Sequence, residues 1–319
     1  MILLEMAAQA APDRVAIGNL HDGLTYGRLF ELAGGLATQL RAKGTERLVY
    51  SDEATPSLPV ALFGSSWAGV PFVPVNYRLA DDRLRSLIEK QAPALHAHAE
   101  KDHDRVGSLA GIEGLTSAGL WDLAAAAEQA ESDWSLDGDE VSILLHTSGT
   151  SGDPKVAVLR QKHLVSYVLG SVEFLGAEED EATLVAVPPY HIAGVSAMLT
   201  ATYGGRRLVQ LPNFDAQLWV ETAKREKITH AMVVPTMMSR ILEVLEKTWE
   251  SLPDLRHLSY GGGRMPVPVI TQAMALLPHV NFVNAYGLTE TSSSISVLDP
   301  DDHRAAMESD DPHVRARLG

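Results

Sequence analysis

Leu144-Leu145-His146-Thr147-Ser148-Gly149-Thr150-Ser151-Gly152-Asp153-Pro154-Lys155 is the stretch around which the rest of the chain is organised. An apolar run ends, a loop of hydroxyl and glycine residues follows, and a single lysine closes it. Glycine lets a backbone turn sharply and approach a ligand closely. Successive N–H groups in such a loop form an anion-binding nest, and the hydroxyls add donors. Lys155 supplies a point charge for phosphate. The stretch is not a Walker A loop, because Pro154 precedes the lysine in place of glycine and Val156 follows where Ser or Thr is required. On composition alone, a flexible surface loop fits equally well.

Outward from this loop the pattern alternates short apolar runs with helical periodicity. Upstream, strands are predicted at 15–17, 47–50, 70–75 and 94–97, and helices at 25–43, 58–68, 81–91 and 118–130. The helix at 25–43 has Thr25 as its N-cap, apolar residues at Leu29, Leu32, Leu36 and Leu40, and Gly44 as its stop. Downstream, strands at 141–145, 183–187, 207–210, 230–234, 257–260 and 281–284 alternate with helices at 161–174, 192–202, 216–224, 235–248 and 267–275. This rhythm predicts an α/β fold of layered, mostly parallel sheets flanked by helices. Subdivisions near 1–140 and 141–298 are expected. Residues 299–319, acidic and poor in pattern, read as a loop cut short. No internal repeat is visible.

Composition narrows the function classes. The chain has 319 residues, a formal net charge of −15, 45% hydrophobic residues and no cysteine. Without cysteine there are no disulfides, thiolate zinc sites or sulfur nucleophile. The acidic balance argues against nonspecific attraction to nucleic acid or an acidic membrane. A polyanionic ligand must be held by local donors. The start, MILLEMAAQAAPDR, lacks the basic region of a signal peptide. The apolar run at 58–75 carries Pro59, Gly64, Gly69, Pro71 and Pro74, so a buried helix followed by a strand fits it better than a membrane span.

Three further segments stand in order after the loop: Pro188-Pro189-Tyr190-His191-Ile192-Ala193-Gly194, Tyr260-Gly261-Gly262-Gly263-Arg264-Met265-Pro266 and Asn284-Ala285-Tyr286-Gly287-Leu288-Thr289-Glu290. Taken singly, His191 reads as a helix-start histidine, the glycine run as a tight connection, and Glu290 as a solvated carboxylate. Together with the 147–155 loop they resemble the adenylate-forming superfamily of acyl-CoA synthetases, luciferases and peptide-synthetase adenylation domains. That family's phosphate loop, T-S-G-T-T-G-x-P-K, is matched except for the hydroxyl swap at Ser151. Its Y-G-x-T-E motif is matched at Tyr286–Glu290. Arg264 departs from the small residue or proline of many relatives. The segment Gly69–Leu79, also shared, is assigned to folding.

The resemblance implies the large N-terminal, nucleotide-binding domain of an AMP-forming acyl-CoA synthetase. It puts ATP phosphates on Thr147, Ser148, Gly149, Thr150, Ser151, Gly152 and Lys155. Adenine falls on Gly262, Gly263, Asn284, Ala285, Tyr286 and Gly287, with Tyr286 stacked on the base, and Thr289 contacts the α-phosphate. Thr147, Lys155, Thr289 and Glu290 take the catalytic roles, and Glu290 helps hold Mg²⁺. Tyr190, His191, Val195, Ser196, Met237 and Gly261 line the acyl site. The partners implied are a carboxylic acid, ATP and CoA. A cytoplasmic location without a membrane span is expected, and a homodimer is left open. The ribose aspartate, hinge and lysine-bearing C-terminal domain of such enzymes are not seen. Neither a T-G-D context after Glu290 nor any lysine after Lys247 is present. That reads as an excised fragment, weak or inactive alone, or as a naturally short relative. Within the superfamily, an acyl-AMP ligase or an amino-acid adenylation domain serving a carrier protein remains an alternative. The stretch 191–198 lacks the acid that would pair a substrate ammonium, which favours a neutral acyl group. A non-catalytic nucleotide-binding protein is the alternative from another class.

Overall fold

A computed structural model describes residues 1–147 and 154–318. Its strands, in chain order, are β1 (Val15–Ile17), β2 (Leu24–Thr25), β3 (Leu48–Ser51), β4 (Phe72–Pro74), β5 (Ala94–His98), β6 (Ile112–Thr116) and β7 (Val141–Thr147). They continue with β8 (Lys155–Arg160), β9 (Ala182–Val185), β10 (Arg207–Gln210), β11 (His230–Val233), β12 (His257–Gly261), β13 (Asn281–Leu288) and β14 (Ser293–Leu298). One sheet has the order β6-β5-β3-β4-β7-β8, the other β14-β13-β12-β11-β9-β10-β1-β2. All pairings are parallel except those of the edge strands β8, β14 and β2. This is the layered α/β class expected from the alternation.

Local sequence explains the elements. Thr25 caps the helix Tyr26–Ala42 by accepting a hydrogen bond from the Arg28 N–H at 3.2 Å. Its apolar stripe, Leu29, Leu32, Leu36 and Leu40, is fully buried against the helix Ser57–Ala68 and its surroundings. The apolar run at 58–75 thus resolves into a helix of 12 residues and the buried strand β4. Among the described residues no helix is long and apolar enough to cross a membrane.

In the eight-stranded sheet, side chains alternate cleanly between two faces. Leu184, Ala231, Val233, Leu258, Tyr260 and Phe282 are buried under the helices Ala216–Arg225, Pro235–Thr248 and Val267–Leu276. Thr183, His230, Met232, His257 and Ser259 point the other way, half-buried, toward the helix Ile192–Gly204.

The structure departs from the sequence reading in several places. β13 runs on through Leu288 and pairs with β14 in a hairpin, and β7 pairs with β8 in another; neither β8 nor β14 was read. Both are edge strands with apolar side chains outward: Val156, Val158, Ile295 and Val297 are exposed. The subdivision at 140 does not follow the sheets. β7 and β8 belong with the strands of the first half, and β1 and β2 with those of the second. The alanine-rich helix stops at Ala125. Residues 299–319, expected as a cut loop, instead carry the helix Pro300–Glu308 and short turns over Pro312–Arg315 and Ala316–Leu318. Asp299 caps that helix by accepting from the Asp302 N–H at 2.8 Å, with Pro300 in its first turn. The Tyr260 hydroxyl lies 2.8 Å from His303 Nε2 and 2.7 Å from the Leu318 carbonyl oxygen, tying these turns beneath β12.

Candidate active site

The two antiparallel hairpins bring the strands that flank the 147–155 segment and the Tyr286–Glu290 motif together. Thr147 and Lys155 face each other across the β7–β8 hairpin. Ser148, Gly149, Thr150, Ser151 and Gly152, expected around the phosphates, lie outside the described residues. β8 packs against the single helical turn Thr289–Thr291 that joins β13 to β14. Glu290, Thr291, Ser292 and Ser294 look across a cleft of about 340 Å³ at His163, Ser166 and Tyr167 of the helix Gln161–Ser171. Lys155 and Glu290 are both exposed, and among the described residues neither is spent in an ion pair. No group of three or more metal-ligating side chains gathers among the described residues. A single exposed carboxylate such as Glu290 has the chemistry of a Mg²⁺ ligand, since that ion is usually held by one or two carboxylates with phosphates and water completing its shell.

Beside this turn lie the carboxyl ends of β12 and β13, the crevice where open α/β sheets hold ligands. Gly261 pairs with Ala285 and Tyr260 with Asn284 in parallel register, and Gly262 and Gly263 form the turn that follows. Tyr286 is 61% exposed, so its ring is free to stack on a flat ligand. Packing alone accounts for two of the motif glycines. A Cβ on Gly261 would sit 2.3 Å from the Ala285 carbonyl oxygen, and one on Gly287 would sit 1.8 Å from that of Ser293.

His191 is the N-cap residue of the helix Ile192–Gly204 but its side chain makes no capping bond. Its ring lies 4.7 Å from that of Tyr190, which meets Tyr77 edge-on at 5.6 Å. Arg78 stands 5.4 Å from the Tyr77 ring centre. Burial, helped by the Arg78 charge, holds the His191 imidazole below its usual range. The Asn76-Tyr77-Arg78 segment, assigned to folding from sequence, therefore brings a cation and an aromatic edge to this corner.

Beneath the helix Ile192–Gly204, against the polar face of the sheet, lies a cavity of about 170 Å³. Ser196 and Thr200 line it from the helix, and Thr183, His230, His257 and Ser259 from the strands; Ala285 stands at the end near Tyr286. Of the residues expected to form an acyl site, only Ser196 lines it. Val195 is fully buried in one core cluster, and Met237 packs against the other. The cavity wall is mixed: Ala193, Ala197 and Ala201 of that helix and Met232 of β11 line it beside the hydroxyls and imidazoles. Sequence reading missed Thr183, Thr200, His230, His257 and Ser259. The available signal was alternation: His-Ala-Met-Val and His-Leu-Ser-Tyr, paired in register, give every second position to one face.

The far end of the cavity is electrically balanced. His230 and His257 stack at 4.7 Å with planes 16° apart. Burial, then the neighbouring Arg206, pushes His230 down to about 3 and lowers His257. Arg206 gives two hydrogen bonds to one Glu181 oxygen, at 2.9 and 2.8 Å. A larger cleft of about 910 Å³, between Ile17–Thr25 on one side and Asp52–Ser57 and Thr116–Asp122 on the other, contains none of the motif residues. Chemistry rather than size therefore places the candidate site at the hairpins.

Comparison with known proteins agrees with this placement of the fold. The model of a family described as AMP-binding enzyme matches residues 4–314. Feruloyl-CoA synthase from Amycolatopsis sp is 31% identical over 300 residues, 92% of this chain and 60% of that protein. 2-Succinylbenzoate–CoA ligase from Bacillus licheniformis is 28% identical over 312 residues, 93% of this chain and 62% of its own length. The structure of o-succinylbenzoate coenzyme A synthetase from Bacillus subtilis in complex with ATP and magnesium ion superposes with a TM-score of 0.80 at 23% identity, covering 95% of this chain and 63% of that one. The chain thus spans about 60% of the length of the curated relatives it matches.

Proposed function

Because this chain belongs to the AMP-binding enzyme family, we propose that it forms the nucleotide-binding part of an AMP-forming acid–CoA ligase. A carboxylate oxygen attacks the α-phosphorus of ATP, the bond to the β-phosphate breaks, and pyrophosphate leaves acyl-AMP behind. The sulfur of CoA then attacks the acyl carbon and AMP departs with the electron pair of the broken C–O bond. No protein nucleophile is needed, in keeping with a chain that has no cysteine.

The observation that carries this reading is the meeting of β8 with the Thr289–Thr291 turn, which brings close the elements bearing Lys155 and Glu290, both exposed and, among the described residues, in no ion pair. Lys155 and the hydroxyls of Thr147 and Thr289 orient and neutralise the phosphates, and such positioning supplies most of the catalysis in phosphoryl chemistry. Tyr286 offers its face to adenine, with Asn284 at the base's edge. Glu290 would help hold Mg²⁺, whose charge would offset that developing at phosphorus. Neutral His191, with Tyr190 and Arg78, stands where acyl group and thiol would meet. CoA as acceptor is supported by the relatives named as CoA ligases.

The test is acid-dependent pyrophosphate release by the full-length protein across carboxylic acids of several classes, with and without CoA. Release that depends on an acid, followed by thioester formation with CoA, is expected. Release of neither pyrophosphate nor AMP with any class of acid overturns the reading.

A further inference from the structure

We propose that the acid activated here is a compact, single-ring monocarboxylic acid whose far end carries an uncharged hydroxyl or carbonyl group, received by Ser196, His230 and His257. This deepens the proposed function and rests on it.

Size comes first. A cavity of about 150 Å³ accommodates one benzene ring, and the space under the helix Ile192–Gly204 measures about 170 Å³. One ring fills it, and an extended alkyl chain does not fit. Direction follows from the strand. His257, Ser259 and Gly261 share one face of β12, and four residues of strand span roughly 13 Å. At the Gly261 end lie Ala285 and the Tyr286–Glu290 turn, where a carboxylate must meet the α-phosphate. At the opposite end stand the stacked imidazoles.

An unmet hydrogen bond supplies the independent observation. Ser196 is 4% exposed, and among the described residues its hydroxyl has no partner. Thr200 does not satisfy it, because the Thr200 hydroxyl donates to the Ser196 carbonyl oxygen. A buried hydroxyl left unpaired costs about 1–3 kcal/mol. A ligand hydroxyl or carbonyl in the cavity would remove that cost.

Charge selects between polar groups. Both imidazoles are held neutral by burial, and the Arg206 guanidinium is engaged by Glu181. Arg256 nearby is matched by Asp180 at 2.7 Å. Two guanidiniums thus face two carboxylates, leaving no net positive charge for a second substrate carboxylate. Neutral imidazole can donate to or accept from a hydroxyl or carbonyl.

The experiment measures kcat/KM for pyrophosphate release by the full-length protein with four probes. These are 3-(4-hydroxyphenyl)propanoate, its 4-methyl isostere, its 4-carboxy analogue and dodecanoate. The hydroxy acid should exceed the methyl isostere by about tenfold or more, since a site built around a hydroxyl leaves its own groups unpaired when the hydroxyl is missing. The carboxy analogue and dodecanoate should be poorer still. Ser196→Ala should reduce the hydroxy-to-methyl ratio several-fold, and His257→Phe should act in the same direction, each compared on protein of parental melting temperature. A wild-type ratio near one, a ratio that neither variant alters, or preference for dodecanoate or the carboxy analogue overturns the proposal while leaving the ligase reading standing. No release with any acid removes the ligase reading and this proposal with it.

Discussion

The two faces of the eight-stranded sheet are built from alternate residues of the same strands, yet they do different work. On one face Leu184, Val233, Leu258, Tyr260 and Phe282 are buried under three helices. On the other, Thr183, His230, His257 and Ser259 bring polar groups to a small cavity of mixed lining. A period of two lets one strand carry a close-packed core and a ligand wall without compromise, since neighbouring side chains never share a surface. Stability should therefore respond to one set of positions and substrate choice to the other.

The sharpest way to break this division is to truncate the packed face. Phe282 is 2% exposed and pairs in register with Leu258. Phe282→Ala should cost about 3–5 kcal/mol, read as a shift in denaturant midpoint, while the fraction that stays folded keeps its preference among acids. A changed preference would mean that the faces are coupled. Next in size is a change that belongs to neither face. Glu290→Gln at the hairpin turn should slow adenylation by the equivalent of about 2.7–4 kcal/mol, by analogy with a lost charge-stabilising donor, and leave the melting temperature near that of the parent. Equal turnover at saturating Mg²⁺ would remove Glu290 from the chemistry.

Part of the acid sensitivity should belong to the cavity face, alongside His96 of β5, which burial also pushes down to about 3. The folded chain holds His230 down to about 3, against about 6.5 when unfolded. Between those values the unfolded chain takes up a proton that the folded one refuses. Stability is thus complete above pH 6.5 and falls as pH drops from 6.5 toward 3. His230→Gln should flatten that decline, measured by urea unfolding at pH 7 and pH 5; an unaltered slope would show that other groups govern it. The smallest effect is expected at Ser259, half-buried on the cavity wall. Ser259→Ala should move stability by no more than about 0.5 kcal/mol, and a loss of several times that would place it in the core.

How much of this was legible in the sequence depended on whether a pattern was local. The helix Pro235–Thr248 coincides with its reading because Pro235 marks its start and the 3.6-residue stripe is strong. The helix Tyr26–Ala42 announced its own cap. The glycine and Tyr-Gly-x-Thr-Glu motifs were legible as motifs, although the packing reason for Gly287, a carbonyl 1.8 Å from where its Cβ would be, appears only once β13 and β14 are paired. β8 was hidden because Val156 and Val158 point outward while Ala157 and Leu159 are the buried pair, the reverse of what polarity suggests. The final helix was hidden by acidity, with only His303 and Ala306 turned inward. His230 and His257 were readable as strand residues, but which face they occupied required knowing what covers each side. Polarity along a strand gives the alternation and not the destination.

The two hairpins that frame the candidate site also end their sheets. β8 and β14 present unpaired backbone edges, with Val156, Val158, Ile295 and Val297 exposed along them. Open edges bearing β-branched side chains are templates for strand addition. The geometry that leaves Lys155 and Glu290 exposed thus carries a colloidal liability. Concentrated samples should self-associate through these borders, and charge placed at the exposed positions 156 or 295 would blunt them.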